Sequence, residues 1–85
     1  MENHTILGVH ITDRVKRAKD VQLLFTEFGC NIKTRLGLHH VEGDACSPNG
    51  LILLELTGAA AQQAAFAAKL AQIEGVQVQQ MVFTH

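Results

Sequence analysis

The chain has 85 residues, 47% apolar and 18% charged, the composition of one small globular domain spanning 1–85 rather than of a disordered segment or a pair of domains. Seven Lys and Arg stand against eight Asp and Glu, a formal net charge of -1, which excludes a module held to nucleic acid or anionic membrane by bulk positive charge. The longest run without a charged side chain, Leu56 to Ala68, is 13 residues and Ala/Gln-rich, short of the roughly 20 apolar residues that cross a bilayer, so no membrane partner is expected.

From Thr5 to Ile11 apolar residues alternate, with Leu7, Val9 and Ile11 on one face and Ile6, Gly8 and His10 on the other, which predicts a first strand. Asp13 can cap a following helix, in which Val15, Ala18, Val21, Gln22, Phe25 and Phe28 recur at helical spacing until Gly29 offers a stop. Arg14, Lys16, Arg17 and Lys19 fall on its solvent side. Cys30 to Val41 predicts a second strand, with Ile32, Thr34, Leu36, Leu38 and His40 on one face and Lys33, Arg35, Gly37, His39 and Val41 on the other.

The segment Glu42 to Gly50, with its Gly-Asp and Ser-Pro-Asn-Gly chemistry, predicts a loop between antiparallel strands, and Leu51 to Leu56 a third strand. Gly58 opens an Ala-rich helix through Glu74 whose large-residue stripe is Phe66, Leu70 and Ile73, with Gly75 as its C-cap. Val76 to Phe83 closes the set as a fourth strand. Strand, helix, strand, strand, helix, strand at these lengths predicts an α+β, ferredoxin-like βαββαβ sandwich, a four-stranded antiparallel sheet with two helices on one face.

Such a sheet has an open face. If the helices cover Leu7, Val9, Ile52, Leu54, Leu56, Val78 and Val82, the open face receives Ile6, Leu51, Leu53, Met81 and Phe83, together with His10, Arg35, His39 and Glu55. Apolar residues from three strands of one sheet form a contiguous patch rather than scattered exposure. A domain of this size also buries only about 60–65% of the surface its unfolded chain exposes, so neighbouring copies are expected to cover the patch, in a dimer or tetramer. An Arg35–Glu55 ion pair is expected within that interface.

The run Cys30-Asn31-Ile32-Lys33-Thr34-Arg35-Leu36-Gly37-Leu38-His39, the Asp13-Arg14 pair and Asn49-Gly50-Leu51-Ile52-Leu53-Leu54 together resemble the family of iron-only hydrogenase system regulators. The resemblance covers nearly the whole chain. It implies a ferredoxin-like fold similar to ACT domains and to the C-terminal domain of the nickel-responsive transcriptional regulator, and a regulatory domain that assembles through its sheets. It implies transcriptional regulation linked to hydrogenase, with the effector unidentified. Asp13 and Arg14 occupy the first strand-to-helix turn, where ACT-type domains receive small effectors.

The same resemblance raises a divalent transition metal such as nickel. His40 lies six residues before Cys46, the spacing of the nickel-responsive regulator's second histidine and its cysteine, while Leu38 stands where that regulator has its first histidine. Imidazole and thiolate suit nickel or copper, and one chain offers His40 with Cys46, or His39 with Cys46 if the strand bulges. Two convergent ligands per chain do not complete a site, so any metal would sit between subunits.

Catalysis is not expected. The acylphosphatase phosphate loop and its arginine are missing, as is the Met-x-Cys-x-x-Cys loop of copper carriers. Cys30 begins a strand and is expected to be buried, and Cys46 lies beside Asp44, which disfavours a thiolate. Two cysteines are too few for a disulfide scaffold, and no charged-then-apolar leader opens the sequence, so a reduced cytoplasmic setting is expected. With no helix-turn-helix segment, direct nucleic-acid binding is not expected, and transcriptional regulation would need a separate DNA-binding partner.

Overall fold

Alternation along the first strand works as read: in β1 (Asn3–Ile11) Thr5, Leu7, Val9 and Ile11 are buried and the residues between them are not. The computed structural model describes residues 3–12, 14–42 and 45–84. After β1 come α1 (Arg14–Glu27), a 3-10 turn at Gly29–Asn31, β2 (Ile32–Glu42), β3 (Ala45–Leu56), α2 (Ala60–Ala71) and β4 (Val76–Thr84). The sheet order is β2-β3-β1-β4 with every pair antiparallel, the ferredoxin-like arrangement.

One face of this sheet carries the core. Leu7, Val9, Ile11, Leu54, Leu56 and Val76 meet Val21, Phe25 and Phe28 of α1 and Phe66 and Leu70 of α2. Each fully buried large side chain contributes about 1.5–3 kcal/mol of transfer free energy. The aromatic centre joins the two helices: Phe66 stacks on Phe28 at 4.9 Å and meets Phe25 edge-on at 6.0 Å. Lys69 reaches over Phe28 at 5.4 Å and pairs with Glu27 at 2.9 Å, which ties the helix surfaces together above that centre.

Glycine matters most at two turns. Gly58 and Gly75 adopt φ of +92° and +84°, a region that side chains avoid. A Cβ at Gly58 would stand 2.6 Å from Nδ2 of Asn31, which itself donates to the Thr57 carbonyl. The Asn31 carbonyl accepts from the Thr57 amide at 2.8 Å, so the 3-10 turn and the end of β3 are clasped twice.

Three sequence expectations are corrected. Within 42–50 the described residues are strand rather than loop: β2 runs to Glu42, β3 begins at Ala45, Glu42 pairs with Ala45 and Val41 with Cys46, while Gly43 and Asp44 lie outside the described residues. Ser47, Pro48 and Asn49 stand opposite His40 alone, an irregularity that accommodates a proline with no N–H for the ladder. α1 does stop just before Gly29, at Glu27, and Gly29 opens the 3-10 turn, but Cys30 is exposed there as a free thiol rather than buried in a strand. Finally, α2 ends at Ala71, short of Glu74, although Phe66 and Leu70 are buried as expected.

Candidate functional site

The strand register lays out the open face in rows. Glu55 of β3 lies between Thr34 of β2 and Ile6 of β1, with Met81 of β4 beyond. The next row is Leu36, Leu53, Gly8, Gln79, and the third is Leu38, Leu51, His10, Gln77. His4 faces Phe83 at the near end. Leu36 is 53% exposed and Met81 and Phe83 are 54% exposed each, while Ile6 and Leu53 are half-buried. Ile6, His10, Leu51, Leu53, Glu55, Met81 and Phe83 therefore do share the open face.

Arg35 and His39 do not. A register shift between Ile32 and Thr34 leaves Lys33 out of the ladder and moves the residues from Thr34 to His39 to the other side of the sheet. Thr34 and Leu36 go to the open face. Arg35 pairs with Leu54 on the helix-covered face, where its guanidinium lies 4.7 Å from the Phe25 ring centre. His39 pairs with Gly50, which is also the partner of Ile11, on that same covered face. The expected Arg35–Glu55 pair is replaced by another set.

Glu55 takes its partners from the open face and the shifted residue. Its Oε2 lies 3.2 Å from Nδ1 of His4 and 3.9 Å from Nζ of Lys33, and its Oε1 accepts from the Thr34 hydroxyl at 3.4 Å. The His4 hydrogen bond first, then the charges of Lys33 and His4 and the Thr34 bond, hold the Glu55 carboxyl below its ordinary value against an opposing desolvation. His4 was not singled out in the sequence, although its parity with Ile6 puts it on this face.

A cleft of about 560 Å³ opens beside this cluster, between the start of β1, the end of β3 and the first turn of α2, with Asn3, Lys33, Thr57, Gln63 and Gln80 among its walls. Gln63 Nε2 donates to the Gly58 carbonyl at 2.9 Å, so that first turn is already closed by its own side chain. Among the described residues no buried side-chain nitrogen or oxygen lacks a partner.

Of the remaining candidates, Asp13 lies outside the described residues. Arg14 begins α1, and its side chain lies outside the description, as do those of His39, His40 and Cys46. The backbone places His40 in the irregularity and Cys46 next to it across the ladder, opposite Val41. Among the described residues no group of three or more His, Cys, Asp or Glu is arranged to hold a metal ion. Of the basic residues of α1, Arg17 is engaged by Glu74 at 3.2 Å. No described helix is long and apolar enough to cross a membrane.

These features define a small ferredoxin-like α+β domain with one sheet face that neither helix covers. No protein-family model and no curated protein matches the chain. Among solved structures it is similar to the uncharacterized protein TM1266 of Thermotoga maritima, with 28% identity, a TM-score of 0.81 and coverage of 98% of this chain and 100% of that one. It is also similar to CPII, a nitrogen regulatory PII-like protein of Thiomonas intermedia K12 bound to ADP, AMP and bicarbonate, at 10% identity, a TM-score of 0.57 and coverage of 99% and 96%. A formyltetrahydrofolate deformylase of Pseudomonas putida KT2440 matches at 14% identity and a TM-score of 0.56, over 92% of this chain and 28% of the enzyme. The last two likenesses are of fold alone, and none of the three names a hydrogenase regulator.

Proposed function

We propose that the chain is a noncatalytic regulatory domain of ACT-like type that works in the cytoplasm as a homo-oligomer, its copies packed through the open face of the sheet. The observation that carries this reading is the apolar surface of Leu36, Leu51, Leu53, Ile6, Met81 and Phe83, spread over all four strands and left uncovered by both helices. The likeness to a nitrogen regulatory PII-like protein agrees in fold, and the link to hydrogenase or other metalloenzyme expression rests on the family resemblance of the Cys30–His39 run. In this reading Asp13 and Arg14 receive a small effector, and DNA is reached through a separate protein.

Sedimentation velocity at micromolar concentration tests the assembly. Wild type is expected to run as a dimer or tetramer, and Leu36→Glu combined with Leu51→Glu is expected to return a folded 9.3 kDa monomer. A wild-type monomer overturns the reading.

A metal-carrying role is the second reading, favoured by the register that brings Cys46 beside His40. His40 and Cys46, with His39 nearby, would offer imidazole and thiolate to nickel or a related divalent ion shared between subunits. Metal analysis of untagged protein, with thermal melts in added nickel for wild type and for His40→Ala with Cys46→Ser, tests it. No bound metal and no nickel-dependent rise in Tm removes this reading.

A further inference from the structure

The two edges of the sheet are not alike. β2 is blunted in the ways natural edges are: its ladder is broken at Lys33 and again at His40, and it carries Lys33, Arg35 and Glu42. β4 has none of these devices. Its nine residues, Val76–Thr84, pair with β1 without a register shift, include no proline and carry no charged side chain. Val82, whose register partner Thr5 is on the covered face, is 47% exposed where it lines the cleft beside the first turn of α2.

We infer that β4 is a second self-association edge, pairing antiparallel with β4 of another copy about a two-fold axis at Gln80 to make one eight-stranded sheet. This rests on the homo-oligomer reading but not on the open face as its contact. Full overlap of the two strands puts Val78 of each copy directly against Val82 of the other, on the covered side, and sets Gln77 against Phe83 and Gln79 against Met81 on the open side. The partner is a second copy rather than a head-to-tail neighbour, because the only other edge, β2, is charged and bulged. An isologous contact of this kind closes at two copies instead of growing into a filament. It also joins the Met81 and Phe83 surfaces of two copies into one apolar patch, continuous with the face that stacks.

Charge and cross-linking test the edge separately from the face. Gln80→Lys with Val82→Lys places like charges across the two-fold and is expected to raise the dimer Kd by about tenfold or more, with an unchanged circular dichroism spectrum. In a Cys30→Ser, Cys46→Ser background, Gln80→Cys is expected to oxidise to a covalent dimer. Directly opposed strand residues have Cα atoms about 4.5–5.5 Å apart, within disulfide reach. Gln77→Cys, displaced from its own copy by about 20 Å in this register, is expected to remain monomeric on a non-reducing gel. If Leu36→Glu with Leu51→Glu abolishes association while the lysines and the Gln80→Cys oxidation change nothing, the edge is wrong and the face stands. If the lysines dissociate wild type and the face variants do not, the edge stands and the face is wrong. A wild-type monomer sinks both.

Discussion

Glu55 is one carboxylate with donors on three sides, and its environment gives the protein a pH-dependent contact. His4, Lys33 and Thr34 favour the ionised form, so the folded value lies below the unfolded one. The contact therefore stabilises the fold above the unfolded pKa and is lost as pH falls through the folded one. Melts of wild type and Glu55→Gln, taken from about pH 7 down to about pH 2, should show wild type ahead at neutral pH and the gap closing in acid. A gap that persists to the acid end would contradict the assignment. Phe66 is a residue of another kind, fully buried between Phe25 and Phe28, and Phe66→Ala should cost about 3–5 kcal/mol in denaturant unfolding. Both positions were legible in part. The helical stripe announced Phe66, and alternation put Glu55 on the open face, but its partner is His4 rather than Arg35. The one-residue shift at Lys33 decided that, and no pattern in the sequence marks it.

Elements were legible where one period persists and illegible where two signals compete. β1, β4 and the buried stripe of α2 follow from alternation and helical spacing alone. In β3 the Ser-Pro-Asn-Gly chemistry argued for a loop, yet the strand runs through it, with the surplus residues set against His40. The same irregularity places Cys46 within the strand, so the spacing of His40 and Cys46 spans a hairpin. At the far end of β3, the double clasp of Asn31 on Thr57 depends on the left-handed Gly58. Gly58→Ala should cost about 1–3 kcal/mol, from the φ and from the contact with Asn31. Equilibrium unfolding measures it, and a neutral result would show that the turn relaxes freely.

At the scale of the molecule, the sequence order of elements was sufficient for the fold, because few topologies accept two helices and four antiparallel strands at these lengths. The surplus apolar strand surface was legible, and its composition on β2 was not, since the identity of the open face there turned on the bulge. The strand order β2-β3-β1-β4 has a consequence for the chain as two pieces. Divide it between Gly43 and Asp44, and the first piece holds β1 and β2, the second β3 and β4. All three ladders, β1 with β3, β1 with β4 and β2 with β3, then run between the pieces and none runs within one. Each half owns strands that cannot pair with each other in the native register. A nick at that point should leave two fragments that co-purify and melt together, while either fragment expressed alone should give the circular dichroism of an unfolded chain and regain structure on mixing. The halves are thus each other's template, and the hairpin between them is a tether.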